Sequence, residues 1–120
     1  MPNLARQNLL QFYLQNTEGV SNKHYFIQIT WSPLDQQYLL ETAYGAISRK
    51  PKDAKHLWFN SQYDAEHAAA GIAKSKINKG YKLLPAVQPG VQLPSGWLLS
   101  AQRVERTAKP MVRRQADWNF

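Results

Sequence analysis

Apolar positions along this chain follow two different rhythms. From Tyr25 to Trp31 they alternate, with Tyr25, Ile27, Ile29 and Trp31 on one side and Phe26, Gln28 and Thr30 on the other, which is the two-residue period of a β-strand. The stretch NLLQFYLQ is apolar and aromatic and runs into the turn-forming NTEG. It predicts an earlier strand, although a helical start over residues 3–10 also fits. Ser32-Pro33-Leu34-Asp35 supplies a turn, Pro33 by fixing its own φ and Asp35 by accepting hydrogen bonds from nearby amides. QYLLETAYGAI then predicts a third strand. A basic loop carrying Arg49, Lys50, Lys52 and Lys55 interrupts the pattern, and KHLWF predicts a fourth.

Past this point the period lengthens. Ala65, Ala68, Ala69, Ile72, Ala73 and Ile77 recur at helical spacing, with Ser61 placed as N-cap and Asp64 three residues on. A stripe made mostly of alanine lets a helix lie close to a sheet, and Ile27, Ile29 and Leu40 are expected to form the opposing layer. Lys74, Lys76 and Lys79 crowd the last turns, where cations complement the helix dipole; Gly80 stops the helix and Tyr81 packs back on it. The predicted fold class is α+β, an antiparallel sheet packed against one main helix.

Beyond Leu84 the composition changes. PAVQPGVQLPSG holds three prolines, two glycines and no charge, and reads as an extended linker or strap. Few contacts are expected to cross into it, so residues 9–84 are assigned as the domain and 85–120 as a linker plus C-terminal extension. The extension is basic, with Arg103, Arg106, Lys109, Arg113 and Arg114 set against Glu105 and Asp117. Trp97, Trp118 and Phe120 are candidate anchors on the domain or on a protein partner.

Composition narrows the chemistry. At 120 residues there is room for one domain of ordinary size. The absence of cysteine excludes a disulfide, a thiol nucleophile and a thiolate zinc site. His24, His56 and His67 lack the spacing of a metal site, and Asp64 and Glu66 read as helix N-terminal charges rather than an acid pair. Gly45 and Gly80 are isolated, and no G-x-S-x-G elbow occurs. The expectation is therefore a protein that is not an enzyme, with no cofactor and no metal. No apolar run approaches the ~18 residues of a membrane span, and no signal-like start is present, which predicts a cytoplasmic protein with no membrane partner. A formal charge of +7 and a pI near 9.8 favour a polyanionic partner, with charge for solubility alone as the plainer reading.

Three segments taken in order, FYLQNTEGVSNKHYFIQI, YGAI and FNSQYDAEHAAAGIAKSKINKGY, resemble the WGR domain family. This is the module of DNA-dependent poly(ADP-ribose) polymerases and of small bacterial proteins. The similarity runs from about Gln11 to Leu83. It implies a twisted antiparallel sheet with a helix across it, and a surface that meets DNA near the loop after the third strand. In the polymerases the motif's tryptophan packs on a sugar and base at a DNA end, and its arginine contacts the backbone. Here Tyr44 stands at the tryptophan position, Gly45 is retained, and Ala46 stands where the arginine would be. Tyrosine keeps a face on which a base can stack, whereas alanine offers a phosphate nothing.

The resemblance implies DNA-binding roles for Tyr44 and for Lys76, which matches the helix-terminal lysine at the DNA face. Arg49, Lys50, Lys52 and Lys55 are candidates to replace the lost arginine from a displaced position. Lys23 and Lys79 are further candidates on the same side, and no acidic residue falls between residues 67 and 104. For each, a solvated charge is the alternative, and for Tyr44 a cross-strand packing role. Two functions remain: a nucleic-acid-binding module contacting DNA backbone or ends with low sequence specificity, nucleoid association being compatible with it; or a protein-interaction module that keeps the fold, has lost DNA contact, and docks through its extension.

Overall fold

The computed structural model describes residues 5–98. It is a five-stranded antiparallel sheet crossed by one helix. The strands are β1 (Gln7–Asn16), β2 (Lys23–Ser32), β3 (Gln37–Ala46), β4 (Lys52–Phe59) and β5 (Lys82–Leu84), in the spatial order β4-β3-β2-β1-β5. The helix α1 (Gln62–Asn78) lies between β4 and β5 in the chain. The α+β class is thus the observed one, and the start of the described chain is strand rather than helix.

The helix follows its sequence signals closely. Ser61 is extended and its hydroxyl accepts a hydrogen bond from the Asp64 amide at 3.3 Å. At the other end the Gly80 amide donates to Ile77 O and the Tyr81 amide to Lys76 O, the paired bonds of a Schellman ending, with Gly80 at φ +105°. Ala65, Ala69 and Ala73 are buried, and Ala68 and Ile72 pack beside them. They cover Leu14, Tyr25, Ile27, Ile29 and Leu40 of the sheet.

Ile77 is a correction. It was expected to face the sheet but is 46% exposed. Counting on from Ala65, Ala69 and Ala73, the inward position one turn later belongs to Lys76, which is half-buried and turned over Tyr25.

The second correction concerns the basic loop. β4 begins at Lys52, so Lys52 and Lys55 belong to a strand, and only a short turn around Arg49 and Lys50 separates it from β3. The turn is fixed by hydrogen bonds from the Arg49 amide to Ala46 O and from the Ile47 amide to Asn22 O, both 3.0 Å. An edge strand exposed on both sides tolerates charge without the alternation that marks a half-buried one.

The sheet's other face is also covered. Tyr13, Phe26 and Ala43 are buried there beneath Leu84, Val87, Val91, Leu93 and Trp97, and the Trp97 ring meets Phe26 edge-on at 5.1 Å. Residues 85–98 therefore form a strap over the sheet, where few contacts were expected. The strap is tied at its end to side chains of the sheet: Gln28 Nε2 donates to Gly96 O at 3.0 Å, and the Leu98 amide donates to Gln28 Oε1 at 2.8 Å. A Cβ on Gly96 would stand 3.2 Å from Glu41 Oε2, so this crossing has little room for a side chain. Trp118, Phe120 and the basic residues from Arg103 onward lie outside the described residues.

Candidate nucleic-acid interface

Three tyrosines meet where the helix ends on the sheet. Tyr25 on β2 is the direct cross-strand partner of Tyr44 on β3, and their rings lie near parallel, 20° apart, at 6.3 Å between centroids. Tyr81, returned by the Schellman ending, meets Tyr25 edge-on at 6.2 Å. Tyr25 and Tyr81 are buried, while Tyr44 is 46% exposed. The inner rings thus support one outer ring that is open to a partner. Burial, followed by the neighbouring Tyr25, raises the Tyr81 hydroxyl above the usual tyrosine range, which keeps it neutral.

Cations surround this platform. Lys76 Nζ sits 4.6 Å from the centroid of Tyr25. Its pKa is lowered, first by burial and then by the charges of Lys79, Lys55 and Lys23. Four lysines from β2, β4 and the helix end therefore share one region, although they are far apart in the chain. Neither of the two ion pairs among the described residues, Arg6–Glu41 and His56–Glu41, involves any of them.

An irregularity in β4 helps bring this about. Lys52 pairs with Tyr44 and Lys55 with Thr42, so two lysines three residues apart share one face, which regular alternation forbids. The register shifts between Thr42 and Ala43, and the Lys55 amide donates to Thr42 Oγ1 at 3.1 Å there.

The candidates from the sequence therefore separate into groups. Lys23, Tyr44, Lys55, Lys76 and Lys79 are gathered around the tyrosine platform, and Lys52 stands beside Tyr44. Arg49 and Lys50 are exposed in the turn, and no contact ties them to the platform. Ala46, at the arginine position of the resemblance, is the cross-strand partner of Lys23. The cation nearest the missing arginine in the ladder thus comes from the preceding strand and not from the loop after it. Sequence reasoning did not place Tyr25 and Tyr81 beside Tyr44. Both read as core, and the signal for Tyr25 was its pairing with Tyr44, visible only once the register is known.

The strap face has a different character. A cleft of about 650 Å³ between β1 and the strap is lined by apolar side chains, amides and Tyr13, without a carboxylate, histidine or lysine. At the far end of that face His24 is fully buried, its Nδ1 3.0 Å from the Tyr13 hydroxyl and its Nε2 without a partner. Burial lowers its pKa. Among the described residues, no three His, Asp or Glu side chains stand together as a metal site, and no helix is long and apolar enough to cross a membrane.

Compared with known families, residues 10–87 match the model of the WGR domain. WGR domains are in general nucleic-acid-binding modules and are not themselves catalytic. Comparisons with curated proteins and with solved structures return no match.

Proposed function

The chain belongs to the WGR domain family, and from that premise we propose that it is a non-enzymatic module that binds DNA backbone or ends with low sequence specificity. The surface is the tyrosine platform with Lys23, Lys52, Lys55, Lys76 and Lys79, and Arg49 and Lys50 extend it along the adjoining turn. Tyr44 stacks on a sugar or base, a contact worth ~1 to 3 kcal/mol that tolerates any sequence because every base has a π-face. Lys23, opposite Ala46, supplies the phosphate contact that an arginine makes elsewhere in the family, as a point charge in place of a planar fork.

One observation carries this reading. Four lysines are gathered in one region, none of them in an ion pair among the described residues, beside an exposed aromatic ring on a buried support; burial first, and then the charges of the other three, lowers the pKa of Lys76. Mutual repulsion of this kind is relieved by a polyanion.

Fluorescence anisotropy against blunt, nicked and single-stranded DNA at two salt concentrations tests it. Affinity is expected to fall by ~10³ or more from 50 to 200 mM salt if six or more phosphates are engaged. Tyr44→Ala should weaken binding at every salt, and Lys76→Ala should reduce the salt slope by about one. Flat titrations for all three DNA forms would hand the surface to a protein partner.

A further inference from the structure

β1 and β4 both leave main-chain groups open at an edge of the sheet, and they guard them differently. The edge strand β4 carries Lys52, Asp53 and Lys55, charges of the kind that keep such a strand from pairing with other chains. β1 carries no charge anywhere from Gln7 to Asn16. On its side away from β2 it pairs with β5 through Tyr13, Leu14 and Gln15 alone. The next step of that ladder would set Pro85 against Phe12, and a proline has no N–H to give, so β5 ends at Leu84. The strap that follows returns no main-chain hydrogen bond to β1 among the described residues. The edge from Asn8 to Phe12 is therefore both unguarded and, among the described residues, unpaired.

The cleft between β1 and the strap runs along this edge. Leu9 and Leu10 border it although their side chains pack toward the helix side, so what they offer it is main chain. The rest of the wall includes Leu84, Val87, Val91 and Trp97, and no charged side chain among the described residues lines it. Asn8 adds a directional group. The register of β1 on β2 shifts between Asn8 and Leu10, and this bulge turns Asn8 away from the helix side, where alternation with Leu10 would put it, to the strap side beside Thr30. Its Nδ2 and Oδ1 are shielded from solvent and neither has a hydrogen-bond partner, a costly state for an amide. The χ2 torsion of asparagine is soft, and a turn about it presents donor and acceptor together to the cleft.

We propose that this edge is a docking site for an extended, uncharged segment of a partner protein, which adds to β1 as a strand in line with β5. Free main-chain groups at strand spacing are matched by another main chain at the same spacing, and a peptide strand supplies it. The stretch from Asn8 to Phe12 spans roughly 17 Å at the rise of a strand, so the segment is about five residues long. Its alternate side chains enter the cleft, where Val87, Val91 and Trp97 favour aliphatic groups and the absence of any counter-charge in the lining rejects a charged one. The Asn8 amide pairs with one peptide group of the segment, donating to its carbonyl and accepting from its N–H. The site lies on the face opposite the tyrosine platform and does not rest on the nucleic-acid reading.

The test uses the full chain and a capped pentapeptide alternating serine and valine, followed by amide NMR spectra and hydrogen exchange. In the free protein, alternate amides between Asn8 and Phe12 are expected to exchange at least about tenfold faster than those of β2, which is paired on both sides. Peptide is expected to shift these amides and the Asn8 side-chain amide saturably, and to slow exchange at the edge by at least about tenfold. The same peptide with alternate nitrogens methylated, and a version with glutamate in place of valine, are each expected to bind at least about tenfold more weakly. Methylation leaves the protein untouched, so a folding defect cannot mimic its effect. Edge amides already protected in the free protein overturn the proposal, because the chain itself or a second copy then occupies the edge, and sedimentation at two concentrations tells those apart. Absence of saturable shifts up to about 5 mM peptide, or equal binding by the methylated peptide, overturns it as well.

Discussion

The two faces of the sheet are covered by different means, and the difference follows from backbone chemistry. On one side α1 lays alanines on Leu14, Tyr25, Ile27, Ile29 and Leu40, with no polar side chain needed between them. A helix satisfies its own backbone hydrogen bonds, so the surface beneath it is free to be apolar. On the other side the strap has no such internal pairing, and the sheet must supply partners. Gln11, Gln28, Glu41 and His56 occupy successive cross-strand positions and form a polar row across four strands. The amide of Gln28 serves both Gly96 O and the Leu98 amide, and Gln11 donates to Leu98 O. Glutamine behaves here like a stretch of strand edge turned upward from the sheet. A buried polar side chain in β2, which looks like a flaw in an otherwise apolar strand, is what an irregular covering requires.

The comparison is most strongly tested by removing one cover. A chain ending at Leu84 re-exposes Tyr13 and Phe26, each worth ~1.5 to 3 kcal/mol when buried, so urea unfolding should show a loss of ~3 to 5 kcal/mol. An unchanged midpoint would support Leu84 as an independent boundary and mean that the strap adds little to stability. On the helix side, Ala69→Leu introduces bulk where Ala69 is fully buried and should cost ~1 to 3 kcal/mol by thermal melting. An unaltered melting temperature would mean that the helix does not lie as close to the sheet as its alanines indicate. Gln28→Leu distinguishes the two kinds of cover directly. It leaves Gly96 O and the Leu98 amide unpaired for ~1 to 3 kcal/mol, and hydrogen exchange should quicken in the strap while α1 keeps its protection.

The smallest effect is one of pH. His24, buried and neutral, has a folded pKa below the usual 6.5, so the unfolded chain takes up its proton first as pH falls. Its contribution to stability is complete above about pH 7 and declines as pH drops below 6.5 toward the folded value. In His24→Gln the part of the acid slope in that window should disappear. An identical slope in both proteins would assign it to other groups.

How much of this was legible in the sequence depended on whether the signal was local. Ser61, Asp64, Gly80 and Tyr81 announce the helix ends because capping involves residues within a few positions of one another. The alternation in β2 is equally local. The limits of β4 were not, since an edge strand imposes no burial pattern on Lys52 to Trp58. β5 is only three residues long and exists through its pairing with β1. Lys76 and Ile77 sit side by side at the helix end, and hydrophobicity favoured the wrong one; the geometry that turns Lys76 inward depends on Tyr25 lying beneath it. The site shows the same division. Lysines near the helix end were recognisable, while the convergence of Lys23 and Lys55 on Lys76 required the register of three strands.

The bond from Gln11 to Leu98 joins residues 87 positions apart. During synthesis the helix side can close once Tyr81 has emerged, but the strap side stays open until the chain has grown to Trp97 and Leu98. At roughly 5 to 20 residues per second that interval is brief for one chain, and it recurs for every copy made. Throughout it Tyr13 and Phe26 face outward on a sheet already formed, with Gln28 presenting an amide to whatever extended backbone passes. Contacts between residues so far apart in sequence also form slowly in a free chain, because loop closure must precede them. Among the described residues, the contacts of Gly96, Trp97 and Leu98 are therefore the latest that the growing chain can make, and they close the cover over Tyr13 and Phe26.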